Sequence, residues 1–572
     1  MTARSIPTLY LSALAAASFL LAGCHKTGTP AAAPPSLSPP AQAAQANALF
    51  LNQKTFDPWV LTAEGHDFLP VYLSNGVEGM LYSSDGTPTQ YMKAGWYENG
   101  QLKSEVERPQ GNGPDKHTLN FQTGAYNLIS GGKLTNIIYG ARLTKVYQGK
   151  NDLTHLWQTS DVVISGDPEA QQVTHANLFY LLSSTYPGSD HSIPPMGLSS
   201  DIYSGHIFWD AEVWMMPALL VQHPEYAKSV VDYRFKTLAQ AKRNAAAHGF
   251  QGAEYPWESA DTGKEMAPAG FDRERHITAD VGWAAWQYYL WTGDKAYLAK
   301  EGGPLLTACA DYWVSRVTKG ADGKYHINGV IGPDETADVV NDDAYTNGVV
   351  RACLDAAGRA AKVLGQTPDP RWATVSVNIA IPMDPTRHIP SGSAAPLTDR
   401  FSAKQADTLL LLYPLNAPGL NAVTAGRMLD FYSAHTIKNG PAMTASMEAI
   451  VAARLGRSQQ SLDLFHDSYR PFMRGPWDAF AEKRTSSRVY FCTGMGGCLQ
   501  SVFAGFAGLR VVKAGEAGLG TKIAGDAEAA LYADPHLPPG WTGLVVKGVK
   551  FRGKSYDVAV GAANKVTVTP GR

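Results

Sequence analysis

At about Gln172 the hydrophobic period of this chain changes, and no other feature constrains its fold as much. Ahead of the switch, from Phe50 to about Asp167, short Val, Leu, Ile and Tyr runs alternate with Gly, Asn and Asp turns. Residues 125–129 run up to Gly131-Gly132, and residues 134–139 up to Gly140. Residues 154–164 alternate as well, through His155-Leu156-Trp157-Gln158 and Asp161-Val162-Val163-Ile164. Strands with one buried face read this way, and several in succession predict an antiparallel β-sandwich over 49–167.

Beyond the switch, Val281, Ala284, Ala285, Tyr288 and Tyr289 recur at helical spacing, and Gly293-Asp294 ends that helix. Similar patterns cover 211–222, 227–248, 304–317, 424–434, 446–455 and 497–509. Long helices joined by loops, without a βαβ pattern, fit a bundle, a solenoid or a closed α/α toroid. The lack of a repeat of fixed length counts against the solenoid. After Asp526 the pattern is strand-like again, through Leu544-Val545-Val546, Val549-Lys550-Phe551, 556–560 and 566–568, which predicts a small C-terminal β-domain over 523–572. A chain of 572 residues exceeds one core, in line with this multidomain α+β division.

Residues 1–24 read as a targeting segment: Arg4 is the charged region and 9–22 an apolar stretch too short to span a bilayer. It closes on Leu21-Ala22-Gly23-Cys24, which resembles the bacterial lipobox, with Cys24 as the lipidated residue. His25 after it resembles the outer-membrane sorting pattern. The expectation is a lipid-anchored envelope protein, facing periplasm or exterior and touching the membrane only through its acyl chains. Residues 25–48, rich in Pro, Ala, Ser and Gln, form its tether. Net charge is −2 with 17% charged residues and no basic block, which argues against nucleic acid as partner. Cys309 and Cys353 sit in apolar helical contexts and read as core; Cys492 and Cys498 flank residues 493–497 closely enough for a disulfide in an oxidising compartment. No histidine or second cysteine lies at ligand spacing, so no metal or cofactor is expected.

The chemistry-bearing segment is Ile331-Gly332-Pro333-Asp334-Glu335-Thr336-Ala337-Asp338. Gly332-Pro333 is a turn, which puts Asp334 and Glu335 on a loop; Asn341 then reads as the N-cap of a helix over 341–357, with Ala344, Val349, Cys353 and Ala356 inward. A carboxylate on a loop at a helix mouth suits a sugar-cleaving general acid. Further segments follow the same theme: Gly205-His206-Ile207-Phe208-Trp209-Asp210, Tyr255-Pro256-Trp257-Glu258, His276-Ile277-Thr278-Ala279-Asp280, Lys404-Gln405-Ala406-Asp407 and Thr493-Gly494-Met495-Gly496-Gly497.

In this order, from about Leu73 to Arg510, these segments resemble glycoside hydrolase family 65, whose members hydrolyse or phosphorolyse α-glucosides such as trehalose, maltose, kojibiose and glucosylgalactose. The resemblance implies a toroid of six helical hairpins over 168–522. It also implies an α-glucoside, disaccharide or glycan end, as substrate, with Glu335 as general acid and Asp334 and Asp338 as its carboxylate neighbours. Trp209, Asp210, Lys404 and Gln405 match the pairs that hold the non-reducing glucose, and Trp257 and Glu258 line the site. Residues 480–500 resemble the hydrolase branch, in which a glutamate ahead of the Thr-Gly-Met-Gly-Gly loop activates water; that glutamate is Glu482. Phosphorylases instead hold a phosphate there, and Thr493, the loop glycines, Lys483 and Arg484 are groups that suit an anion. Two departures weaken the phosphorylase reading: the β-sandwich is short, and Thr336-Ala337 follows the acid where phosphorylases carry an aromatic and a histidine. The expectation is an inverting α-glucosidase; the alternatives are a family 65 phosphorylase and a non-catalytic glycan-binding lipoprotein.

Overall fold

The computed structural model describes residues 153–572, except 201, 261, 269, 337, 338, 476, 514, 517 and 518, together with seven short strands between residues 60 and 136. The targeting segment, the tether and Cys24 lie outside the described residues. The seven strands form two antiparallel sheets: Val60–Glu64, Lys116–Asn120, Ala125–Ser130 and Lys133–Asn136 in one, Val71–Ser74, Glu78–Tyr82 and Pro88–Lys93 in the other. The predicted strands at 125–129 and 134–139 correspond to the last two of the first sheet.

One segment of the alternating region departs from expectation. Residues Leu153–Thr159 are a helix, closed where Ser160 N donates to Leu156 O (2.7 Å). Its Trp157 packs edge-on against His175 of the next helix, a helical-face contact that alternation alone does not separate from a strand. Val162–Ser165 is a strand, but it pairs with Gly543–Val546 from the other end of the chain and forms the edge of the sheet completed by Gly543–Phe551, Lys554–Val560 and Val566–Pro570. The C-terminal strands also begin earlier than predicted, with Leu509–Lys513 joining Thr521–Gly525 and Ala529–Ala533 in a second sheet.

In chain order a helical core stands between the N-terminal and C-terminal strands, so the architecture is mixed α+β. The helices Pro168–Ser183, Met216–Gln222, Pro224–Ala247, Ile277–Thr292, Gly303–Arg316, Ala344–Val363, Ala422–His435, Thr444–Arg454 and Ser458–Tyr469 account for most of it. Ile277–Thr292 is buried nearly all round, including Trp283, Trp286 and Tyr289, and Gly293 ends it in the left-handed region (φ 66°) that the glycine permits. The helix after the Asp-Glu loop spans Ala344–Val363 and is capped by Asp343, whose Oδ1 accepts from Thr346 N at 2.6 Å. Asn341 is not the cap: its Oδ1 accepts from Gly329 N and helps close the preceding loop. Ala344, Val349, Cys353 and Ala356 all face the core.

The glycines at 494, 496 and 497 do not form a loop. They lie in the helix Cys492–Gln500, entirely buried, against the turn Ala211–Met215. A Cβ on Gly496 would meet Trp214 O at 2.5 Å, and one on Gly497 would meet Ser446 Oγ at 2.5 Å. Close helix packing, rather than an anion cradle, accounts for these residues. The same helix separates Cys492 and Cys498 by six positions; both thiols are free and buried, Cys492 beside Ser184 Oγ. Cys309 and Cys353 are buried too, around Gly282.

Gly496→Ala should therefore force two backbones apart and lower stability by about 1–3 kcal/mol. Gly358→Ala, in the helix Ala344–Val363 with open space at its Cβ, should instead raise it by up to about 1 kcal/mol. Thermal melts of the two variants check the pair; a neutral Gly496→Ala would mean that the helices are not packed backbone to backbone there.

Candidate active site

Five loops at the N-terminal ends of the helices line a cavity open to solvent, with about 490 Å³ of space including that opening; Tyr203, Trp209, Asp210, Trp257, Glu335, Lys404, Gln405 and Glu482 are among its lining residues. Residues more than 270 positions apart meet here, and of the eight named all but Tyr203 belong to segments singled out in the sequence.

The first loop is held from below. Arg234 is fully buried and donates through Nε to Glu212 Oε1 (2.7 Å) and through NH2 to Glu212 Oε2 (3.1 Å) and Phe208 O (3.2 Å). This pins the turn that carries Trp209 and Asp210. Trp209 stacks edge-on to Trp214 and His276, and Asp210 Oδ1 accepts from Thr493 Oγ1 at 2.6 Å. The Thr493 hydroxyl is thereby committed to a carboxylate. Trp257 reaches the cavity because the Glu265 carboxylate gathers the backbone N–H groups of Trp257 (2.8 Å) and Glu258 (3.1 Å). Glu258 itself does not line the cavity; its Oε1 lies 2.5 Å from His206 Nδ1, so it braces the first loop.

The acid loop and the Lys404 loop are zipped together. Asp334 N donates to Asp407 Oδ2 (3.0 Å), Lys404 N to Asp334 Oδ1 (2.8 Å) and Gln405 Nε2 to Pro333 O (2.9 Å). Asp334 is thus occupied with holding backbone, Thr336 included. Lys404 Nζ forms an ion pair with Glu335 Oε2 at 2.5 Å. Asp338 lies outside the described residues. Glu482 Oε1 accepts from Tyr203 OH (2.8 Å), with Arg488 3.7 Å and Lys483 3.9 Å from its oxygens. Arg484 turns away, to Asp467 Oδ2 (2.6 Å) and Lys438 O.

Comparison with known proteins bears on this cavity directly. Residues 175–389 match the glycosyl hydrolase family 65 central catalytic domain. The chain is 41% identical over 413 residues to a kojibiose hydrolase of Mucilaginibacter mallensis, covering 70% of this chain and 57% of that one. It is 34% identical over 423 residues to the protein-glucosylgalactosylhydroxylysine glucosidase of Danio rerio, covering 70% and 61%. The chain carries a glycoside hydrolase family 65 catalytic domain. Its fold is similar to that of a human-microbiome protein described as a kojibiose phosphorylase, with a TM-score of 0.70 at 17% identity over 90% of this chain and 94% of that one. The chain spans less than two thirds of the length of these curated relatives.

Buried acids gather at the cavity wall and behind it. Burial pushes the Asp210 carboxyl up to about 7; the Thr493 and backbone hydrogen bonds oppose this, and nearby Glu335 adds to it. Burial likewise pushes Glu274 up to about 8, with Glu335 adding to it and His276 opposing. Both Glu274 oxygens are buried without a hydrogen-bond partner, and Oε2 lies 3.7 Å from His276 Nε2. His276 in turn meets Asp280 Oδ2 through Nδ1 (2.7 Å), and Asp280 Oδ1 accepts from Tyr345 OH (2.7 Å). Burial lowers His276, but Asp280 and Glu274 overcome it and hold the imidazole near 10.

Sequence reasoning missed Tyr203, Glu274 and Arg488. Tyr203 sits at φ 59°, ψ 22°, a backbone strain that aims its phenol at Glu482; nothing in its local sequence signals this. Glu274 is two residues before His276 in a motif already noted, and only its burial sets it apart.

The sign of the pH dependence follows from these shifts. Asp210, Glu274 and His276 all keep a proton in the native state above the pH at which the unfolded chain releases it, from ordinary values of 3.8, 4.5 and 6.5. Stability is therefore full at low pH and lost as pH rises through about 7, 8 and 10 in turn. The melting temperature should fall between pH values of about 5.5 and 8.5, and Glu274→Gln should flatten that fall. A melting temperature that rises over this interval would contradict the buried, protonated state of these groups.

Proposed function

We propose that the chain is an inverting α-glucosidase that acts on a glucosyl disaccharide or a terminal α-glucosyl residue. Glu335 donates its proton to the leaving glycosidic oxygen as the C–O bond breaks, and Glu482 takes a proton from the water that attacks the anomeric carbon from the other face, releasing β-glucose. The observation that carries the reading is that two carboxylates from segments 147 positions apart line one cavity in unlike surroundings. Tyr203 donates to Glu482, and Arg488 and Lys483 bring positive charge to within 4 Å of its oxygens. Among the described residues Glu335 pairs with one cation, Lys404, and that pair has to open before a proton can be passed. Glucosyl hydroxyls that draw Lys404 towards the ring would open it, with Asp210, Trp209 and Gln405 holding the same sugar and Trp257 its wall.

Hydrolysis is favoured over phosphorolysis by the commitment of Thr493 to Asp210 and of the 494–497 glycines to helix packing. Identity points the same way, at 41% and 39% to kojibiose hydrolases against 30% to kojibiose phosphorylases. Kojibiose is accordingly the first substrate to test. The reading further takes the helical core as a six-hairpin toroid with the cavity at its mouth, and the N-terminal sheets as a sandwich beside it. It also takes Cys24 as the lipid attachment that holds the enzyme in the bacterial envelope. A sugar phosphate released there would be lost to the cytoplasm, which again favours water.

Glu335→Gln should lower the rate on kojibiose by on the order of 10²–10⁴, and less on α-glucosyl fluoride, whose leaving group needs little protonation. Equal losses on both substrates would remove Glu335 as the acid. Turnover should be independent of added phosphate, with no glucose 1-phosphate formed, and Glu482→Gln should be nearly inactive. A phosphate-dependent rate with a mild Glu482→Gln phenotype would make the enzyme a phosphorylase.

A further inference from the structure

A second cavity, open to solvent and with about 590 Å³ of space including that opening, lies at the opposite ends of the same helices. The helix Met216–Gln222 continues the turn that carries Trp209 and Asp210, and Cys492–Gln500 begins one residue after Phe491 of the first cavity; both run down to the second. Nine helical residues rise about 14 Å, so the two cavities are about one short helix apart. Trp283, Gln287 and Trp291 reach the second from one face of Ile277–Thr292, Tyr413 from a loop, Arg454 from the last turn of Thr444–Arg454 and Arg510 from the strand Leu509–Lys513.

Its charge is unbalanced. Arg454 donates through NH1 to the Asn416 side-chain amide (2.9 Å) and lies over the Tyr413 ring at 4.7 Å, neither of them an anion. Among the described residues no carboxylate forms an ion pair with Arg454 or Arg510. Burial, opposed by Tyr413 and reinforced by Arg510, pushes the Arg454 guanidinium down to about 10. Asp534, the carboxylate that acts on Arg454 from further off, has its Oδ2 3.6 Å from His536. Arg454 at a helix C-terminus complements that helix's dipole, a sufficient reason for one cation. It does not account for a second guanidinium, from a strand, in the same cavity beside two indoles and a phenol. Planar donors of this kind pair with carboxylate or phosphate, and aromatic surfaces pair with the apolar faces of sugar rings.

We propose that this cavity binds an oxyanion carried on a sugar ring, a uronate or a sugar phosphate. Arg454 and Arg510 take the anion, and Trp283, Trp291 and Tyr413 the ring. The site is separate from the glucosidase cavity, and its test does not depend on activity.

Isothermal titration of the full chain with glucuronate, glucose 6-phosphate and inorganic phosphate tests the inference. Both sugar anions should bind saturably at millimolar concentration or below, and several-fold more tightly than phosphate; the tighter of the two identifies the oxyanion. Arg510→Gln, at a partly exposed strand position, should weaken both by at least about tenfold, and Arg454→Gln likewise. Asp210→Ala, which damages the other cavity, should leave this binding unchanged. Absence of saturable binding, its loss in Asp210→Ala, or its persistence in Arg510→Gln overturns the site. Equal binding of phosphate and both sugar anions overturns the role of the ring. Should Arg454→Gln fail to fold, Arg510→Gln decides alone.

Discussion

The pair formed by Arg234 and Glu212 carries the rest of the site. Both side chains are wholly buried, and an ion pair in that environment holds only if each donor and acceptor is matched. Arg234 meets the condition by forking onto the Glu212 carboxylate, adding the Phe208 carbonyl and lying between the rings of Tyr233 and Tyr255. The result is a rigid link between the helix Pro224–Ala247 and the turn that presents Trp209 and Asp210. Removal of either partner would leave a buried charge without its counterpart, a cost of several kcal/mol, about 3–5 in measured cases.

Around that link the cavity is assembled from backbone that carboxylates hold in place. Glu265 fixes the Trp257 segment, and Asp334 and Asp407 join the acid loop to the Lys404 loop. Asp407 is itself pushed far above the usual carboxylate range by burial and by its acidic neighbours Asp343 and Asp334. The first cavity thus concentrates carboxyl groups in a space with few cations. Lys404 offsets part of that charge through its ion pair with Glu335. The second cavity has the opposite character, with guanidiniums in excess. The helices that join the two give one molecule an acidic and a basic recess on a shared frame.

Glu258 and Asp334 show how a motif residue can serve its neighbours. Each stands beside a cavity residue in sequence, yet Glu258 braces His206 and Asp334 receives backbone N–H groups. Thr493 and its glycines serve helix packing and Asp210 in the same way. Proximity along the chain marks such residues as part of the site, while their direction depends on partners some 50 to 280 positions away.

What the sequence determined by itself was local. The 3.6-residue period located the helices, because an apolar face has to be buried whatever it packs against, and Gly293 and Gly332-Pro333 marked where chain direction changes. The ordered motifs picked out seven residues that line the cavity, from Trp209 to Glu482. Tertiary structure decided everything that depends on a distant partner. It turned residues 153–159 into a helix through Trp157 and His175, and gave the strand Val162–Ser165 to a sheet formed some 380 residues later. It moved the helix cap from Asn341 to Asp343, aimed Tyr203 at Glu482 and buried Glu274 without a hydrogen-bond partner. Burial and electrostatic field are sums over surroundings that chain order does not record, so these assignments emerge only once the fold brings the groups together.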